Sequence, residues 1–239
     1  MKKSFFSEML RDMVKGWKPL EIVWLTAATA AILILSLVMG DTPMGIIAAL
    51  TGTWCVILTG KGKVSNFLFG IVNVVLYAII SWQTKYYGEV MLNLLYYLPC
   101  SVLGLFVWSR HTSDSTGDVA KEQLSVKASL IIYPLTAAAV VAYGFILKAL
   151  GGQMPFTDSI STVLSVVAQI LCLKRLTEQW VMWIVVDAVS VVLWAVPVFT
   201  TGESVAMLLM WIVYLINAVI MYINWRRDTA AAKEKVVEA

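Results

Sequence analysis

Eight apolar runs dominate the chain, at about residues 20–39, 44–60, 64–82, 88–109, 127–148, 157–173, 178–198 and 204–224. Each approaches the roughly 20 apolar residues that a helix needs to cross bilayer hydrocarbon. Lipid offers a peptide group no water to bond, so such runs must satisfy their backbone internally, as helices. A membrane β-barrel would instead show short segments of alternating hydrophobicity. The sequence therefore predicts an all-α polytopic membrane protein with eight transmembrane helices. The first run is too long for the apolar core of a signal peptide, about 7–15 residues, and no A-x-A-like site follows it at "LVMGDTP". It is read as a transmembrane helix.

The charges orient this bundle. All 18 Lys and Arg residues lie at or beyond the ends of the runs. With eight spans, 16 of them fall on the side holding both termini, leaving only Lys85 and Lys148 opposite. The excess of basic residues in cytoplasmic loops then places both termini in the cytoplasm. Residues 5–17 bring Phe6, Met9, Leu10, Met13 and Trp17 onto one helical face with cations elsewhere, as in a helix lying on anionic lipid. The net charge of +3 calls for no nucleic-acid partner.

Several chemistries are excluded. Cys55, Cys100 and Cys172 are odd in number and lack C-x-x-C spacing, so neither a disulfide framework nor a metal site is expected. His111 is the only histidine and lies in a polar loop, which leaves no base for a nucleophile and no zinc ligand set. "GKGK" at 60–63 lacks the spacing of a phosphate-binding loop. No enzyme activity, cofactor or metal is expected.

A shift of 114 positions pairs Gly88-Glu89 with Gly202-Glu203, Asn73 with Asp187, and Lys61 with Arg175. Runs two to four then match runs six to eight in length, loop length and charge. A single helix between two odd-numbered units gives them the same orientation, the parallel repeat of some transporters. The expected organisation is an amphipathic segment (1–19), an extra helix (20–39), a first three-helix repeat (44–109), a loop (110–126), a linker helix (127–148), a second repeat (157–225) and a tail (226–239). Eight unrelated helices in a bundle are the alternative.

Polar residues inside a bilayer are expensive and normally face the bundle interior. Here they form one stripe per helix at helical spacing: Asn66, Asn73 and Tyr77; Glu89, Asn93, Tyr96 and Cys100; Asp158, Thr162, Ser165 and Gln169; Trp180, Trp183, Asp187, Ser190 and Trp194. Stripes that met would build a pocket of amides, one carboxylate and aromatic rings, suited to a polar or cationic solute with a flat ring. Structural duties account for others. Trp82, Trp108 and Trp225 suit the interfacial belt, Glu89 and Glu203 suit helix N-termini, and Asp158 with Ser159 suits a cap. Asn66 and Tyr77 are assigned to gating or structure. Asp187, Trp183 and Gln169 are the positions where binding outweighs structure.

"KVSNFLFGIVNVVLYAII" (63–80), "YGEVMLNLLYYLPCSVLGLFVWSR" (87–110) and "LSVVAQILCLKRLTEQWVMWIVVDAVSV" (164–191) resemble the PnuC family of bacterial nicotinamide riboside transporters. The specific elements are S-N-x-x-x-G-x-x-N and K/R-R-x-x-E-x-W-x-x-W-x-x-x-N; Asp187 stands where the second ends in asparagine. The resemblance implies that Trp183 and Asp187, with Asn73, Asn93 and Gln169, face nicotinamide riboside; Tyr96 and Trp180 join them from the stripes. It also implies two three-helix units in a SWEET-like arrangement in the inner membrane. Entry would be by facilitated diffusion, followed by trapping by a cytoplasmic nicotinamide riboside kinase. Self-association into a homo-oligomer is left open. Proton coupling through Asp187, and a binding subunit served by a separate energising complex, remain as alternatives.

Overall fold

The structure is a computed structural model describing residues 12–83, 90–113, 117–151, 154–201 and 205–237. The Gly88-Glu89 and Gly202-Glu203 pairs, residues 5–11 of the amphipathic stretch and the Trp194 side chain lie outside the described residues. Among the described residues there are eight long helices and no strand beyond isolated bridges. They are α1 (Pro19–Val38), α2 (Pro43–Lys61), α3 (Asn66–Gln83), α4 (Leu92–Ser109), α5 (Val126–Ala149), α6 (Pro155–Leu173), α7 (Gln179–Thr201) and α8 (Val205–Val237). The first six are each long and apolar enough to cross a membrane, and α7 carries a shorter apolar stretch, Gln179–Leu193.

Local chemistry sets the boundaries. Pro19, Pro43 and Pro155 open α1, α2 and α6, where a missing N–H costs nothing and φ is already helical. The Thr42 hydroxyl accepts from Gly45 N at 3.1 Å, and the Ser125 hydroxyl accepts from Ala128 N at 3.2 Å, capping α2 and α5. Gly62, at φ 87°, ends α2 in the left-handed conformation.

The chain divides into two compact units, Met1–Ala120 and Lys121–Ala239. In the first, α1 packs on α2, α2 on α3 and α3 on α4. In the second, α5 packs on α6, α6 on α7 and α7 on α8. The helix preceding each triple thus lies against its first member, so α1 and α5 occupy corresponding places in the two contact patterns.

Lipid tails are as apolar as leucine, so helices here associate through close packing and hydrogen bonds rather than through escape from water. Trp54 Nε1 donates to Thr29 Oγ1 at 3.0 Å, tying α2 to α1. Ser159 Oγ donates to the Val140 carbonyl at 2.6 Å, tying α6 to α5. Gly104 of α4 receives the Phe67 ring of α3 so closely that a Cβ there would lie 2.2 Å from Phe67 Cε1.

Two sequence expectations change. Trp108 and Trp225 are fully buried rather than interfacial, whereas Trp82 is 63% exposed. Trp108 meets Phe67 edge-on at 5.1 Å; Trp225 meets Trp180 edge-on at 5.8 Å, with Lys121 Nζ 5.3 Å from its ring. Position at the end of a run marked these indoles as belt residues, but tertiary neighbours cover them. Asp158 lies inside the first turn of α6, whose N-cap is Met154, and Ser159 serves α5 instead of capping. Most of the tail segment, for which the sequence reading named no secondary structure, continues α8 as far as Val237. Hydropathy ends near Trp225, but Ala, Lys and Glu propagate a helix without it; 33 residues span about 50 Å at 1.5 Å each.

Gly104→Ala should destabilise the protein by about 1–3 kcal/mol, because Phe67 is held by Trp108 and cannot swing away. Thermal unfolding in detergent measures this, and Phe67→Ala in the same chain should recover part of the loss through coupling between contacting sites.

Candidate substrate site

In the second unit the site begins at the turn between α6 and α7. Arg175 takes a left-handed conformation (φ 59°), and the chain re-enters helix with Gln179 N bonded to Leu176 O and Trp180 N to Thr177 O. Four residues later Trp183 packs, half-buried, against Ala168, Leu171, Leu176 and Met182. Four more bring Asp187, on the same helical face.

Asp187 is 4% exposed and makes no hydrogen bond or ion pair among the described residues. A carboxylate withdrawn from water without a partner carries a large desolvation cost. Gln169, half-buried on neighbouring α6, also has no partner among the described residues. The second unit therefore holds a carboxylate, an amide and an indole face on two helices in contact. Trp180, by contrast, is buried against Trp225 with its Nε1 unpartnered.

In the first unit the amides are partly engaged. Asn66 is buried and donates from Nδ2 to the Lys63 carbonyl at 2.5 Å, closing the α2–α3 turn. Asn73 donates from Nδ2 to the Ala48 carbonyl at 2.8 Å, bridging α3 to α2. Tyr77 is exposed. Asn93 is buried and Tyr96 half-buried, with the Tyr96 and Tyr97 rings 5.3 Å apart.

Asn93 and Tyr96 sit in a π-helical turn, Leu92–Tyr97, closed by Leu98 N bonding Asn93 O. Its cause is two residues downstream: Pro99 has no N–H, and its ring would strike the carbonyl four residues earlier in a regular helix. Such turns recur at functional sites because they re-aim side chains. The sequence reading assumed α spacing through this run; Pro99 was the available signal.

Sequence reasoning also missed the architecture of loop 110–126. Val119 N bonds the Gly62 carbonyl, while Asp118 pairs with buried Lys63 at 2.7 Å and with Lys61 at 3.7 Å. Lys61 also pairs with Glu21 at 2.9 Å. In the second unit, Glu122 N bonds the Arg175 carbonyl, Thr177 N and Oγ1 both donate to the Glu122 carbonyl, and the Arg175 guanidinium pairs with the Glu122 carboxylate. Lys61 and Arg175, paired by the 114-residue shift, are thus both anchored by an acid from this loop. Buried Gln179 and Asn217 went unnoticed too; an asparagine inside the last apolar run was signal enough for the second.

Residues 42–227 match the family described as nicotinamide mononucleotide transporter. A relative from Neisseria mucosa, named nicotinamide riboside transporter PnuC, is 39% identical over 222 residues, covering 91% of this chain and 84% of that protein. One of the same name from Haemophilus influenzae is 32% identical over 223 residues, covering 92% and 96%. A crystal structure of the vitamin B3 transporter PnuC matches with a TM-score of 0.82 at 36% identity, covering 95% of this chain and 99% of that one. With helices long and apolar enough to span a bilayer and relatives matched along nearly its whole length, the chain belongs to the PnuC family of membrane transporters and is not an enzyme.

Proposed function

We propose that this protein imports nicotinamide riboside by facilitated diffusion across the bacterial inner membrane, with both termini cytoplasmic and phosphorylation by a cytoplasmic kinase preventing return. Alternating access through two three-helix repeats joined by α5 would carry the substrate. The observation that carries the reading is Asp187: buried, without a partner among the described residues, and one turn from the Trp183 indole. Nicotinamide riboside bears a pyridinium cation, a carboxamide and ribose hydroxyls. The cation supplies the charge that Asp187 lacks, the ring stacks on Trp183, and the carboxamide or hydroxyls suit Gln169. Asn73, Asn93 and Tyr96 are the contributions proposed for the first repeat, with Trp180 backing the site.

Charge also separates the riboside from its mononucleotide, which the family description names. A phosphate added to the ligand would need cations, and every Lys and Arg lies at or beyond the ends of the apolar runs. A second reading, proton-coupled transport, is favoured by the same carboxylate, since intramembrane acids commonly serve as proton relays.

The test is counterflow of labelled nicotinamide riboside into liposomes containing only this protein. Uptake should need no ATP, resist competition by the mononucleotide, and fall by about tenfold or more in Trp183→Ala, in keeping with the about 0.5–2 kcal/mol of a desolvated cation–π contact plus lost stacking area. Binding without uptake would refute autonomous transport, and a rate that follows an imposed pH gradient would favour proton coupling. Without substrate, Asp187→Leu should raise stability by about 1–3 kcal/mol, because an apolar side chain of similar size removes a buried polar group that has no partner among the described residues; thermal unfolding in detergent reads this out. The same variant should bind the cationic substrate more weakly.

A further inference from the structure

A second feature lies wholly within the second unit, away from Asp187. A cleft of about 460 Å³ opens between the start of α5, Glu178 at the head of α7, and the far part of α8. One wall is apolar, formed by Leu124, Val126, Leu130 and Pro134. Tyr133 lies among these on the same face of α5, and Glu178, Arg226 and Lys233 add the charged lining.

We infer that this cleft binds one anionic phospholipid of the phosphatidylglycerol class, its phosphodiester between Arg226 and Lys233 and one acyl chain along Leu130 and Pro134.

Charge is the first argument. Arg226 donates from Nη1 to the Tyr222 hydroxyl at 3.1 Å, and Lys233 Nζ donates to Gln123 Oε1 at 2.9 Å. Neither is in an ion pair among the described residues, and each keeps further N–H donors, of which a guanidinium has five. Against these two cations stands one carboxylate, Glu178, whose Oε2 accepts from Leu124 N at 3.1 Å. A single phosphodiester neutralises the excess cation. The headgroup glycerol supplies hydroxyl donors for the second Glu178 oxygen, where another phosphate would be repelled.

Depth is the second. The apolar span of α5 starts at Val126, and Leu130, 70% exposed, lies one turn further in. Arg226 and Lys233 follow the apolar part of α8. The cleft therefore straddles the hydrocarbon boundary, where basic pockets between helices meet phospholipid headgroups. An ethanolamine headgroup would answer Glu178 with its ammonium but leave a cation unmatched. A soluble phosphate would make no use of the apolar wall.

The experiment is native mass spectrometry of the purified full chain with added phosphatidylglycerol, phosphatidylethanolamine or inorganic phosphate. Wild type should retain phosphatidylglycerol in preference to phosphatidylethanolamine. Removing each cation, in Arg226→Ala and Arg226→Ala/Lys233→Ala, should weaken retention by about fivefold per residue. Leu130→Trp, which fills the apolar wall and leaves the cations in place, should also reduce it, while Lys148→Ala should not. Each variant must keep its lipid-free unfolding transition; if the double variant does not fold, Arg226→Ala and Leu130→Trp decide. Equal retention of the two lipids, undiminished retention in these variants, or displacement by inorganic phosphate at equal concentration would overturn the assignment.

Discussion

A peptide group in hydrocarbon must find its hydrogen-bond partner within the protein, and the rest of this structure follows from that demand. It makes every long apolar segment a helix, and it removes the force that assembles helices in water. What remains is proximity and polarity. Gly104 lets a phenylalanine ring reach the backbone of the adjacent helix, and Asn73 and Ser159 each reach across to the carbonyl of a neighbour. These carbonyls already accept a helical bond, so the second bond uses the spare lone pair. Asn73 and Ser159 thereby join neighbouring helices while their own donors stay bonded inside the protein.

The charged ends follow the opposite logic. Lys61, Lys63 and Arg175 are buried at turns, each against an acid of loop 110–126. Burying one member of such a pair alone is strongly unfavourable, so each turn and its stretch of loop hold together as a pair. The same arrangement recurs in the two units, at Asp118 with Lys63 and at Glu122 with Arg175. The loop is therefore part of each unit's architecture and not merely a connection.

Much of this was legible in the sequence. The eight helices, their order and the position of the second-unit polar stripe came from apolar length and period alone, because membrane depth makes both signals strong. What escaped was decided by partners remote in sequence. Trp108 and Trp225 look interfacial until Phe67 and Trp180 are placed against them. Loop 110–126 has no periodicity, so its bonds to Gly62 and Arg175 could not be anticipated. The length of α8 beyond its apolar run was left unread, because hydropathy stops near Trp225 whereas helix propensity does not. For the site itself, the sequence identified Asp187 and Trp183 as unusual, but only coordinates reveal that Asp187 has no partner among the described residues and that Asn73 is already engaged.

The π turn at Leu92–Tyr97 has a consequence for how helix α4 tolerates changes of length. A π turn holds one residue more than an α turn. Deleting one residue there would return the segment to α geometry: the turn would still close once round the axis with one residue fewer, so Pro99–Ser109 would keep its packing on α3 and only residues inside the turn, Asn93 among them, would shift. The direction in which Asn93 points is thus set by a count of residues rather than by any side chain. A single-residue deletion in this stretch would re-aim that amide while every residue downstream kept its neighbours.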